Sequence, residues 1–254
     1  MLESKLEAVA IQGQQLRIAY YKRPGPGPAL VYLHGLGCSK KDVSGVACSR
    51  LLAGCRLIAL DFPGCGDSEY PTTGQLTIAD LIVLLHRFLR QIACETPALI
   101  GHSMGGLVAL LFAQAHPDSV SALINVEGNL APEDCTFSRA ASEAPPETFR
   151  DGRYFANFTA RLRASGKRGF AQYADELSSL VRPQVFRDYS VSILKVSCEA
   201  PLLETFERLS VPTLFLYGSE NATLPYLPRL RAAGIDVVGV PNSDHFPARS
   251  APDA

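Results

Sequence analysis

The stretch ALIGHSMGGLVAL, residues 98–110, constrains this chain more than any other. It opens as an apolar run, turns through Gly101-His102-Ser103-Met104-Gly105, and continues with the apolar pattern of a buried helix. Strand, tight turn and helix with G-x-S-x-G spacing put a serine at the apex of a nucleophile elbow. Such a turn drives its central residue toward unfavourable backbone angles and crowds neighbouring backbone. Small flanking residues relieve that crowding, and Gly101, Gly105 and Gly106 supply them. The turn aims the Ser103 hydroxyl off the end of a sheet and leaves the N–H of Met104, at the helix start, to donate to an anion.

The rest of the chain supplies a matching frame. LEAVAI and QLRIAYYK read as a strand pair joined at Gln12-Gly13-Gln14, followed by the stiff PGPGP connection. ALVYLHG (29–35) and CRLIALD (55–61) are continuous apolar runs, as expected of strands buried on both faces. Between them SKKDVSGVACSRLLAG has helical spacing, with Ser39 or Asp42 as a cap and Gly54 as a stop, and LTIADLIVLLHRFLRQIA (76–93) is a strongly amphipathic helix pattern. VSALINVEGN (120–129) reads as a further strand. Regular alternation to about residue 128 predicts a mostly parallel sheet with helices on both faces. Residues 131–209 then lack buried-strand runs and predict helices around 147–165, 168–181, 184–197 and 201–209, rich in aromatic residues. A strand (211–219), a helix and a last strand (235–241) resume the α/β pattern before Ser243-Asp244-His245-Phe246-Pro247.

Composition narrows the class. At 254 residues, with 47% hydrophobic and 19% charged residues, the chain suits one large soluble α/β domain with an insertion. A net charge of −1 gives no footprint for nucleic acid or an anionic membrane, and no apolar run is long enough to span a bilayer. The charged N-terminus lacks the apolar core of a signal peptide. Seven scattered cysteines with no C-x-x-C pair point to reduced thiols rather than a disulfide frame or zinc site, hence to a cytoplasmic protein. Cys65, in a glycine-rich turn, reads as a small filler before a reactive thiol. No metal-ligand cluster, Rossmann fingerprint or P-loop is present, so no cofactor and no metal is expected.

Three motifs, HGLG after the third strand, DFPGCGDSE after the fourth and GHSMGG after the fifth, together with the late SDHFP, resemble the α/β-hydrolase superfamily over nearly the whole chain. The resemblance implies an eight-stranded, mostly parallel sheet with helices on both faces. It also implies a core domain of residues 1–130 and 210–254, with a helical cap (131–209) inserted after strand 6. Along the chain the order is serine, acid, histidine. The resemblance implies Ser103 as nucleophile, His245 as base, and the Leu36 and Met104 N–H groups as the oxyanion hole. Of the other histidines, His86 and His116 lie in helix patterns, His34 braces the glycine loop, and His102 points away from the serine.

The acid departs from the commonest pattern. That place, Gly-x-x-Asp after the seventh strand, holds Asn221 here, and an amide does not stabilise an imidazolium as a carboxylate does. Two carboxylates compete for the role. Glu127 ends the sixth strand 24 residues after the serine, a position used by several relatives including many haloalkane dehalogenases; it is favoured, with a hinge bond at the cap base as its structural alternative. Glu220 is one residue out of register. Asp61 and Asp67 read as satisfying turn backbone groups.

A serine at the elbow excludes the alkyl-enzyme chemistry of the aspartate members and implies an acyl-serine intermediate. The leading expectation is a serine hydrolase of a small, largely apolar ester, thioester or lactone in an apolar enclosed pocket, working as a monomer or homodimer on a small-molecule substrate. Two alternatives stand beside it. One is a carbon–carbon bond hydrolase, with Arg150, Arg153, Arg161 or Arg187 binding a substrate carboxylate. The other is a ligand-binding sensor that retains the fold without turnover. Nine residues follow His245, whereas the family usually continues into a C-terminal helix beside the sheet. The expectation is therefore a shortened chain or one lacking that helix, with apolar sheet surface left exposed.

Overall fold

In the computed structural model, which describes residues 1–252, eight strands form one sheet. They are β1 (Glu3–Ile11), β2 (Gln14–Arg23), β3 (Ala29–Leu33), β4 (Arg56–Leu60), β5 (Ala98–His102), β6 (Ala122–Val126), β7 (Thr213–Gly218) and β8 (Asp236–Val240), in the spatial order β1-β2-β4-β3-β5-β6-β7-β8. The β1–β2 and β2–β4 pairs are antiparallel and the others parallel. The sheet begins in a two-residue hairpin, with Gln12 at φ +47° and Gly13 at φ +74°, the double left-handed geometry that matches strand twist.

The helices are α1 (Val43–Ala47), α2 (Ile78–Gln91), α3 (Met104–Ala115), α4 (Thr136–Glu143), α5 (Glu147–Arg150), α6 (Arg153–Ala164), α7 (Arg168–Leu180), α8 (Pro183–Glu199), α9 (Leu202–Glu207), α10 (Leu227–Ala232) and α11 (Pro247–Ser250). None is long and apolar enough to cross a membrane. Helix α2 starts at a full capping box, Thr77 and Asp80 satisfying each other's backbone N–H, and buries Leu81, Leu84, Leu85 and Phe88 along one stripe. Helix α3 is apolar nearly all round because it lies in the main core, packed on β5, β6 and β3. Six helices, α4 to α9, lie between β6 and β7.

Two expected helices are broken. The stretch 39–54 forms a 3-10 turn at Lys40–Asp42, the short α1 and a second 3-10 turn at Arg50–Leu52. The Ser39 and Ser49 side chains accept from Lys41 N–H and Leu51 N–H, local bonds that compete with a continuous helix. Helix 147–165 is split at Gly152, whose φ of +78° is left-handed. Helix α4 lies outside every helix that the sequence pattern predicts.

The two faces of the sheet are covered unequally. Strands β3 and β4 are buried from their second residue on, as their apolar runs predict, whereas β5 to β7 mix buried and half-buried positions and β8, at the edge, has only half-buried and exposed ones. One face carries the main core with α2, α3 and α9. The other has a small core around Tyr32, Val43, Ala47 and Leu57, beside an apolar groove of about 250 Å³ along Ile100, Ile124, Leu214 and Val240.

Candidate active site

The elbow forms as its spacing demands. Ser103 sits at φ +51° and ψ −118°, between the end of β5 and the first turn of α3. A non-glycine residue there is strained by about 1–3 kcal/mol, and such strain persists only where surrounding structure enforces it. Met104 N–H opens α3 and has no intrahelical acceptor. The loop after β3 approaches from the side: a Cβ on Gly35 would lie 2.9 Å from His102 Nδ1 and 3.2 Å from Ser103 Cβ, so the glycine eases this close approach.

Glu127 follows β6 and is also left-handed, at φ +47°. Its Oε2 lies 2.6 Å from His245 Nδ1. Oε1 accepts from Gly218 N–H at 2.7 Å, and the Asn221 amide donates to both oxygens at 2.9 and 2.8 Å. The residue that displaces the usual aspartate thus clamps the carboxylate that faces His245. With Nδ1–H given to Glu127, a neutral His245 ring keeps Nε2 as an acceptor. Glu220, the competing carboxylate, pairs with Lys167 at 2.8 Å on the surface.

The loop that carries His245 is held on several sides. His102 Nε2–H donates to the His245 carbonyl at 2.8 Å, so the elbow's variable residue supports the loop that carries His245. Burial, reinforced by the neighbouring His245, holds the His102 ring well below the ordinary imidazole range and therefore neutral. Asp244 accepts from Phe246 N–H and Gly169 N–H, both at 2.8 Å.

The HGLG loop is braced by His34. Its Nε2 accepts from Phe62 N–H at 2.9 Å and Nδ1–H donates to the Gly35 carbonyl at 2.8 Å, while burial depresses its basicity. Asp61 does more than satisfy a turn. It accepts from Lys40 N–H and Asp67 N–H and pairs with the buried Lys40 ammonium at 2.6 Å, and Asp67 also pairs with Lys40. The turn that follows HGLG and the DFPGCGDSE loop are thereby tied together.

Leu36, Ser103 and His245 line one cavity of about 30 Å³, room for roughly two waters. Its remaining walls are mixed: Phe137 and Ile193 on one hand, Asn129, Asp134 and Thr136 on the other. The pocket is more polar than the apolar enclosure expected. Its polar members lie in the chain that runs from β6 to the start of α4, where no sequence pattern marks them. None of Arg150, Arg153, Arg161 and Arg187 lines it; Arg153 pairs with Asp151 on the surface. His86 and His116 stack on each other at 4.3 Å, remote in role from the serine.

All seven cysteines are unpaired, and burial pushes the Cys65 and Cys38 thiols up, away from reactivity. The fold does gather three donors that the sequence does not: Cys38, Asp42 and His102 offer atoms within 4.8 Å of one another. They fit a metal poorly, because Asp42 is held by Arg249 at 2.6 Å and the Cys38 thiol resists ionisation.

A family model described as the alpha/beta hydrolase family matches residues 30–254. A pimeloyl-[acyl-carrier protein] methyl ester esterase of Vibrio vulnificus (strain CMCP6) is 30% identical over 220 residues, covering 81% of each chain. Among solved structures, a thermophilic esterase from Thermogutta terrifontis superposes with a TM-score of 0.77 at 20% identity, over 99% of this chain and 94% of that one. An N-acyl homoserine lactonase, AidH, gives a TM-score of 0.77 at 15% identity, over 99% and 92%. Both structural likenesses concern the fold alone.

Proposed function

Since this chain belongs to the alpha/beta hydrolase family, we propose that it is a serine hydrolase cleaving a small carboxylic ester, thioester or lactone through an acyl-serine intermediate. The observation that carries the reading is the Glu127 carboxylate 2.6 Å from His245 Nδ1, beside a strained Ser103 in the same cavity. Ser103 attacks the carbonyl carbon as His245 Nε2 takes its proton; Glu127 holds the tautomer and stabilises the imidazolium. The Leu36 and Met104 N–H groups receive the developing oxyanion. His245 then protonates the leaving group and activates water to release the acid.

Residues 131–209 act in this reading as a cap over a core of residues 1–130 and 210–254. The small cavity favours a short acyl group, and its polar wall favours one with a hydrogen-bonding function over a long alkyl chain. The Vibrio esterase, named for a methyl ester on an acyl carrier, supports ester chemistry as the class. The carbon–carbon hydrolase alternative lacks its basic group, since no arginine lines the cavity. The sensor alternative draws on Asn221 in the acid's place, and a clamped Glu127 against His245 removes that motive. Hydrolysis of p-nitrophenyl acetate and octanoate by wild type and Ser103→Ala tests the proposal. Turnover of acetate above octanoate, abolished in the variant, is expected; undiminished turnover by Ser103→Ala refutes it.

A further inference from the structure

We propose that helix α7 is the positioning element of this site, one face of it registering the oxyanion loop through Tyr173 and the base loop through Gly169 and Asp244. The inference rests on the serine-hydrolase reading, which gives Leu36 and His245 their roles. Gly169, Tyr173, Glu176 and Leu177 fall at helical spacing on one face of α7. That face meets both loops.

At the oxyanion side, Tyr173 is fully buried and its hydroxyl donates to the Leu36 carbonyl at 2.8 Å. Burial pushes the phenol well up, so it remains a donor at working pH. The contact is close to the backbone itself: Gly37 lies at φ +71°, and a Cβ there would come within 2.5 Å of the Tyr173 hydroxyl and of Leu177 Cδ1. Leu36 is the residue whose N–H is to meet the oxyanion, so the hydroxyl that fixes its carbonyl also fixes that residue's orientation.

At the base side, Gly169 N–H in the first turn of α7 donates to Asp244 Oδ2, and Asp244 Oδ1 accepts from Phe246 N–H. The two bonds bracket His245, and a carboxylate suits the positive end of a helix. Arg249 adds a second tie: it bonds Glu176 of α7 at 3.1 Å and Asp42, in the turn leading into α1, at 2.6 Å. A single helix from the segment between β6 and β7 therefore touches both halves of the machinery.

Transition-state bonds depend steeply on donor placement, and a shift of about 1 Å costs about a hundredfold in rate. A positioning role therefore falls on kcat, while ground-state binding and KM are spared. A filler role belongs to the Tyr173 ring, stacked at 4.8 Å on Phe246, and would survive loss of the hydroxyl.

The test compares Tyr173→Phe and Asp244→Asn with Tyr189→Phe. Tyr189, on α8, makes a matched bond: fully buried, its hydroxyl donates at 2.8 Å to the carbonyl of Pro63, which bears no catalytic group. Purified full-length variants are assayed for kcat and KM on p-nitrophenyl acetate, for fluorophosphonate labelling rate and for Tm. We expect Tyr173→Phe and Asp244→Asn each to lower kcat and labelling rate about tenfold, with KM within about twofold. Tyr189→Phe should keep kcat within about twofold at a similar loss of Tm. If Ser103→Ala is inactive while Tyr173→Phe and Asp244→Asn match Tyr189→Phe in kcat, the positioning role is overturned and the serine-hydrolase reading stands. If Ser103→Ala labels and turns over like wild type, that reading itself fails. Should one loop variant not fold, the other still overturns the proposal if its kcat matches that of Tyr189→Phe, since the proposal requires both loops.

Discussion

Replacing Glu127 with glutamine removes one charge and changes two hydrogen-bond directions. The carboxylate accepts from Gly218 N–H, from the Asn221 amide and from His245 Nδ1–H. Gly218 N–H is a fixed donor, so the oxygen of the substituted amide must stay on that side and its NH₂ must turn toward His245. An NH₂ there donates to Nδ1, moves the ring proton to Nε2, and leaves no acceptor for the Ser103 hydroxyl. Loss of the tautomer and of the imidazolium's counter-charge together costs about 10³- to 10⁴-fold in kcat, or about 4–5.5 kcal/mol of barrier. Substrate binding needs neither, so KM stays within about threefold. The assay is steady-state p-nitrophenyl acetate hydrolysis, with circular dichroism to confirm folding. Glu220→Gln is the matched comparison. It removes only a surface pair with Lys167 and should leave the rate within about twofold. A folded Glu127→Gln enzyme within about fivefold of wild type, or a collapse in Glu220→Gln instead, refutes the reasoning.

Other outcomes follow from the same contacts. Asn221→Asp, although it restores the commoner acid, puts a second carboxylate against Glu127; stability at pH 7 should fall by about 1–3 kcal/mol, measured by urea titration. The exchange Glu127→Gln with Asn221→Asp should recover part of the rate lost by Glu127→Gln alone. The His102 ring is buried neutral, so its folded pKa lies below the unfolded value near 6.5. The unfolded chain then binds more protons as pH falls below about 6.5, and stability drops by up to about 1.4 kcal/mol per pH unit until the folded pKa is reached. His102→Gln, which keeps a donor for the His245 carbonyl, should flatten that part of the stability curve. Asp61→Asn leaves the buried Lys40 without its buried partner and should cost about 3–5 kcal/mol in chemical denaturation.

The parts visible in the sequence are those set by local backbone chemistry. Glycines around Ser103 fix an elbow, apolar runs fix β3 and β4, and the Thr77–Asp80 box fixes the start of α2. Glu127 is visible because the resemblance places an acid after that strand in several relatives, and because a carboxylate ending an apolar strand must find a partner. What stays hidden depends on contacts between remote segments. Asn221 looks like a lost acid, yet it is the clamp on Glu127, 94 residues away in the chain. His102 and Asp244 lie inside motifs that do not mark their roles and Tyr173 lies in none; their roles come from the carbonyls and N–H groups that the fold sets against them. The break of the 39–54 helix turns on serine side chains bonding to nearby N–H groups, an alternative that helical spacing does not reveal. The mixed polarity of the cavity is equally out of reach, because its lining comes from the β3 and β5 loops, the chain after β6, α8 and the loop after β8.

The most direct measurement is the position of a covalent adduct. The protein is treated with a fluorophosphonate, digested, and mapped by peptide mass spectrometry, with Ser103→Ala alongside. The account predicts one adduct per chain, on Ser103, and none in the variant. An adduct on another residue, or equal labelling of Ser103→Ala, would contradict it.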